Sequence, residues 1–202
     1  EQYFRAEQAY VPTTAAPQHF TAWFTNSLIV SGGSTLISIV ISTLAAYSVT
    51  RFRYRFRMAV PYFSLLGYMV PSIILVFPLF LVMTRLELTD SLWSLTLGYV
   101  STTLPFCMWL LWAFFRGIPI ELEEAALIDG ASRLQTLVLI LLPVVMPGVV
   151  TTGIYIFVTS WNEYLFAMML SGQNVRTVTV ALQLFIGEFS VQWGLLTAGG
   201  TL

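Results

Sequence analysis

Four carboxylates and two guanidiniums stand together in a chain that is apolar on either side of them: Glu121, Glu123, Glu124 and Asp129, with Arg116 and Arg133 flanking. Such a cluster could serve acid–base chemistry, hold a cation or meet a charged partner. Its spacing favours the partner. The acids crowd the first turn of a short helix, where the helix dipole favours negative charge. Pro119 stands where a first turn tolerates proline. Gly130 follows as the default residue for a left-handed helix stop. Ser132, with Gln135 three residues on, forms a capping box for a second helix. The pattern predicts a short helix, a sharp turn at Gly130, and a second helix that runs on into the next apolar segment. A charged helix-turn-helix set between apolar segments is built to touch something in the water.

Other chemistry is thin. His19 is the only histidine, and metal sites need clustered ligands, so no metal-ligating residues are assigned. Cys107 lies inside an apolar run with no histidine near it in sequence, and reads as a small packing residue. All nine basic residues are arginine. Without a lysine there is no phosphate-cradling Walker loop, so the chain cannot hydrolyse ATP alone by that mechanism. No catalytic residue is assigned, and the chain reads as non-catalytic. A net charge of -1 provides no basic field for nucleic acid. Arg51-Phe52-Arg53-Tyr54-Arg55-Phe56-Arg57 alternates arginine with aromatics, which between two apolar segments reads as a cytoplasmic loop with its rings settled at the lipid interface.

The elements that must position the cluster are membrane spans. Of 202 residues, 57% are hydrophobic and 9% charged, against about 25% charged in soluble domains. Mean hydropathy is +0.80. Four spans are expected, at about 24–49, 58–84, 92–115 and 137–160, each long enough to cross a core of roughly 30 Å. Pro12 and Pro17 should break any long helix in the polar segment before the first span. Ser34, Ser38 and Ser42 share one face of that span, which either packs closely on a neighbour or lines a polar path. Pro61, Pro71 and Pro78 imply kinks in the second span, and Pro143 and Pro147 in the fourth. Placing the arginine loop inside puts 85–91 and 161–192 outside and the charged cluster inside. Arg51, Arg53, Arg55, Arg57, Arg116 and Arg133 then face the cytoplasm, against Arg5, Arg85 and Arg176 outside, in agreement with the positive-inside rule. The spans hold no ionisable residue in their interiors, which disfavours an ion-coupled secondary transporter.

The cluster also carries a pattern. Glu124, Ala125 and Ala126 are followed, after three residues, by Gly130, and after nine more by Ile140, Leu142 and Pro143. It resembles the E-A-A, G, I-x-L-P signature of the membrane subunits of binding-protein-dependent ABC importers, with every fixed position at the right spacing. Trp161-Asn162-Glu163-Tyr164 and the stretch from Gly187-Glu188-Phe189 to Gly194-Leu195-Leu196 look like the carbohydrate-uptake branch, in particular its maltose-type second permease. The resemblance implies an all-α, polytopic helical bundle of the type I importer kind, with six spans in the family and about four complete here. Residues 1–202 would form one transmembrane domain, truncated at both ends, with one span preceding residue 1 and another beginning near Trp193. The coupling elbow would lie at 117–133.

The resemblance further implies that Glu121, Leu122, Glu124, Ala125, Ala126, Ile128, Asp129 and Gly130 dock on an ATPase subunit, with Glu124 paired to a base there. Asn162 and Glu163 would line the path or its outer gate. Gly172, Gln173 and Asn174, in what reads as a mobile polar turn, would contact a solute-binding protein or simply connect. Implied partners are a second permease, two ATPase subunits carrying ATP and magnesium, the binding protein, and the lipid of a prokaryotic cytoplasmic membrane. The expected solute is a sugar; the alternative is another neutral or zwitterionic solute.

Overall fold

A computed structural model describes residues 16–172, 174–183, 197, 200 and 201. Within them the chain is all helical. The helices are α1 (Ala16–Arg51), α2 (Ala59–Tyr68), α3 (Ser72–Arg85), α4 (Leu92–Arg116), α5 (Glu121–Ile128), α6 (Arg133–Trp161), α7 (Leu165–Leu170) and α8 (Val178–Gln183). In hydrocarbon every backbone group must be satisfied internally, so apolar runs of this length fold as helices. The segments Phe20–Arg51, Leu92–Arg116 and Arg133–Trp161 are each long and apolar enough to span. They form one bundle in which each packs on the other two, α1 most extensively on α4.

Two expectations need correcting. Pro17 does not keep the first helix from starting early: α1 begins at Ala16, and Pro17 falls in its first turn, where the missing N–H would be orphaned anyway. The second span is not one kinked helix. It breaks at Met69–Pro71 into α2 and α3, bent by 97°. Pro71 itself takes a non-helical conformation ahead of α3, while Pro61 lies in a first turn and Pro78 is absorbed within α3. The broken pair still crosses once. Its start follows the Arg51 end of α1, whereas its exit leads to Asp90, which bonds to the Gly172–Val175 turn at the opposite end. The loops therefore sort to two ends as the arginine distribution requires.

The serine face of α1 turns out to be a packing seam. Ser34 and Ser38 are fully buried; Ser34 Oγ lies 3.1 Å from Ser160 Oγ of α6, and Ser38 Oγ lies 3.3 Å from Thr103 Oγ1 of α4. The α4–α6 seam is as tight. A Cβ on Gly148 would come within 2.4 Å of the Phe114 ring, so only glycine fits there. Two apolar clusters fill the bundle. Tyr47, Leu111, Phe115 and Leu141 belong to the one near the charged elbow, and Val30, Leu95, Tyr99 and Phe166 to the one near the far end. Over Thr136–Leu141, just ahead of Pro143, α6 widens into a π-helix. Pro143 cannot donate to the carbonyl four residues back, and π turns accommodate such a defect.

Candidate functional site: a clamped elbow between two spans

The elbow folds by the local chemistry its sequence encodes. Helix α5 carries Glu121, Glu123 and Glu124 in its first turn. Pro119 stands just ahead of it rather than in that turn, with Ile120 as the first cap. Gly130 adopts φ +88°. Its N–H donates to Leu127 O (3.2 Å) and that of Ala131 to Ala126 O (3.0 Å), the paired bonds of a Schellman stop. Ser132 Oγ then accepts from Gln135 N (3.3 Å) while Ser132 N donates to Gln135 Oε1 (2.8 Å), completing the capping box that starts α6.

What aims the elbow is a residue the sequence reading left without a role. Glu123 is 3% exposed. Its Oε1 accepts from Arg133 Nη1 at 2.8 Å and from the Tyr47 hydroxyl at 3.0 Å. Its Oε2 lies 3.1 Å from Arg51 Nε, an ion pair by distance that is not aligned as a hydrogen bond. The Arg51 guanidinium also donates to Ile118 O at 3.0 Å, tying down the segment that leads into α5. Arg133 stacks over Phe52 at 5.4 Å, and Phe52 meets Tyr47 edge-on. One carboxylate thus joins the end of α1, the entry of α5 and the start of α6. The helical period puts Glu123, Ala126 and Leu127 on one face of α5, opposite Glu121, Glu124, Ala125 and Ile128, but does not say which of the two faces the bundle covers.

The second face is open. Glu121, Leu122, Glu124, Ala125, Ile128 and Asp129 are exposed, with Ile128 at 84%. Three acids and two large apolar side chains are held out in water on this face. Ala126 does not belong to it. At 4% exposure it faces the chain's own bundle, because it sits one turn on from the buried Glu123.

At the opposite end, Asp90 holds the turn after α7. Its carboxylate accepts from the backbone N–H groups of Gly172 (2.8 Å), Asn174 (3.1 Å) and Val175 (3.0 Å), and from the Asn174 side-chain amide (2.8 Å). Gly172 admits no Cβ, which would lie 2.6 Å from that carboxylate. Gly172 and Asn174 are therefore pinned rather than loose. Gln173 lies outside the described residues, as does the Gly187–Leu196 stretch. Asn162 Nδ2 bonds back to Val158 O, and Glu163 Oε1 accepts from Phe166 N at the start of α7. Both serve helix ends here.

Burial pushes the Asp90 carboxyl up, but the donors from Val175, Asn174 and Gly172 outweigh it and hold the group below its ordinary value of 3.8. The clamp therefore stabilises the fold fully above about pH 4 and is lost as pH falls through the lowered folded value. Asp90→Asn is the informative change. Asp90 sits at φ 56°, which asparagine also tolerates, so backbone strain stays constant. The substitution should cost about 1–3 kcal/mol at pH 7, since it removes hydrogen bonds to a charged acceptor. Thermal unfolding in detergent should show the gap between parent and variant closing below pH 4; a gap independent of pH would contradict the clamp.

The chain is thus a membrane-spanning helical bundle with a clamped, charged elbow at one end and a pinned turn at the other. The chain belongs to the family described as binding-protein-dependent transport system inner membrane component, whose model matches residues 15–201. It is 37% identical over 196 residues to the trehalose/maltose transport system permease protein MalG of Thermococcus litoralis, covering 96% of this chain and 70% of that protein. To the sulfoquinovosyl glycerol transport system permease protein SmoH of Agrobacterium fabrum it is 38% identical, covering 86% of this chain and 61% of the relative. Among solved structures, a bacterial ABC transporter involved in import of the acidic polysaccharide alginate matches with TM-score 0.74 and 25% identity, over 90% of this chain and 64% of that one. The chain is thus a non-catalytic, multi-pass inner-membrane permease subunit of an ABC importer.

Proposed function

We propose that this chain is one of two permeases in an ATP-driven importer of a neutral sugar or oligosaccharide, and that α5 couples it to an ATPase. The observation that carries the coupling is the split of α5 into a face locked by Glu123 and a face left open at Glu121, Leu122, Glu124, Ala125, Ile128 and Asp129. Leu122 and Ile128 fill apolar pockets on the partner, and Glu124 pairs with a base there. Gly130 fixes the angle between that contact and α6. ATP and magnesium act on the partner ATPases, whose closure moves the elbow as a rigid body and α6 with it. The second permease completes the path, and a solute-binding protein delivers solute at the Gly172–Asn174 end. A sugar is favoured by the names of the relatives, and a neutral one by spans free of charge in their interiors.

The test exploits the open face. Glu124→Arg should leave the melting temperature of the isolated chain essentially unchanged, since exposed substitutions move stability by only about 0.5 kcal/mol. The same change should strip ATPase subunits from the complex in a pull-down and abolish uptake. A cysteine placed by Ala125→Cys should crosslink to an ATPase subunit. Assembly, crosslinking and uptake all at parental levels for Glu124→Arg would reduce α5 to a connector.

A further inference from the structure

The break between α2 and α3 is open in a way the lipid cannot answer. Across it, the carbonyls of Tyr68, Met69 and Val70 receive no donor among the described residues. All three residues are exposed, Met69 at 72%. The break lies deep in the bundle. The Tyr68 ring packs 4.9 Å from Phe106, near the middle of α4, and its hydroxyl lies 2.9 Å from that of Tyr155 on α6. Phe106 also meets the Tyr155 ring at 4.8 Å and stacks on Trp109 at 6.0 Å. Unpaired carbonyls and irregular backbone at such a depth are tolerated only when buried in protein or lining a wet cavity.

The character of the face separates those two cases. The helix seams of this chain use small residues, as at Ser34, Ser38, Gly148 and Gly153, the usual way helices close on one another in lipid. The Tyr68 face instead offers broad rings edged with hydroxyls and free acceptors, and no charge. Rings present a flat apolar surface, and hydroxyls and carbonyls at their rim pair with a hydroxyl-rich ligand. Broken helices at mid-membrane are where transporters place their solute.

We propose that Tyr68, Phe106, Tyr155 and the open carbonyls at Tyr68–Val70 form a subsite for one ring of a neutral sugar on this chain's own wall of the path. The proposal rests on the sugar-importer reading above. A sugar ring stacks on Phe106 and Tyr155, and its hydroxyls donate to the carbonyls of the break and exchange bonds with the two tyrosines.

The experiment uses the complete importer in proteoliposomes, with full-length permeases, both ATPases and the binding protein. Tyr68→Cys and Tyr155→Cys are treated with a charged methanethiosulfonate reagent, the parent serving as control for the buried Cys107. Both positions should label, and turnover with trehalose, maltose or diacetylchitobiose should slow the labelling. Separately, Tyr68→Phe and Tyr155→Phe should each raise the KM for uptake about three- to tenfold, the worth of a hydrogen bond or two, with a smaller effect on the maximal rate. Positions that refuse the reagent lie against lipid or the second permease, and overturn the subsite whatever the solute. Labelling unprotected by a sugar that the parent transports overturns the subsite and leaves the sugar reading standing. A parent importer that takes up none of the three sugars overturns the sugar reading itself, and the subsite with it.

Discussion

Glu123→Ala is expected to destabilise the chain by about 3–5 kcal/mol and to uncouple the importer, the largest single effect predicted for the elbow. The magnitude follows from what is left behind. The Arg51 side chain is 7% exposed and would keep its charge with only Ile118 O to receive it. Tyr47 would lose its acceptor. Arg133, half exposed, can turn to water, so its share of the loss is small and screened. Removing one member of a buried pair costs far more than removing both. Glu123→Leu combined with Arg51→Met should therefore recover much of the stability while leaving the elbow free to tilt. Thermal unfolding and solute-stimulated ATP hydrolysis, measured on single and double variants, separate these effects. A double variant restored in stability but still poorly coupled would assign Glu123 to aiming the elbow. A single variant that melts with the parent would remove it from the argument.

Gly130→Val should be nearly as severe, for a different reason. No atom lies within 4 Å of where its Cβ would sit, so there is no collision to relieve. The cost is in the backbone. At φ +88° a β-branched residue is strained by about 1–3 kcal/mol. The chain escapes by leaving the left-handed region, which breaks the Ala131–Ala126 and Gly130–Leu127 bonds and turns α5 relative to α6. Gly130→Asn is the control, because asparagine tolerates this region. Uptake should be abolished in Gly130→Val and largely retained in Gly130→Asn, with both proteins inserted. Equal uptake in the two would show that the angle at this turn does not matter.

The parts of the molecule that were legible in advance are those whose causes are local. Gly130, Ser132 and Gln135 act on backbone groups within a few residues of themselves, so their spacing alone specifies the turn. The spans were legible because twenty or so apolar residues admit few other folds. Glu123 was not, because its partners Tyr47 and Arg51 come from another helix, and nothing near Glu123 in sequence says which face of α5 the bundle will cover. Ala126, expected on the open face, turns toward the bundle for the same reason. The prolines make the point again. Pro61, Pro71, Pro78, Pro105 and Pro147 all lie in or beside spans, yet only at Pro71 does the chain break. Whether a freed carbonyl finds a substitute donor depends on neighbours that the local sequence does not name.

The π turn at Thr136–Leu141 gives the elbow a second kind of dependence on α6. A π-helix fits extra residue into its turns, and each residue of an α-helix advances the face by about 100°. Everything on the elbow side of that turn is therefore out of phase with everything beyond it. The Glu123 clamp fixes the azimuth at one end, and the Ser160–Ser34 and Gly148–Phe114 contacts fix it at the other. The wide turn is the vernier between them: tightening it to α geometry would rotate the open face of α5 around the bundle, leaving the Gly130 and Ser132–Gln135 bonds intact while pulling Glu123 away from Tyr47 and Arg51.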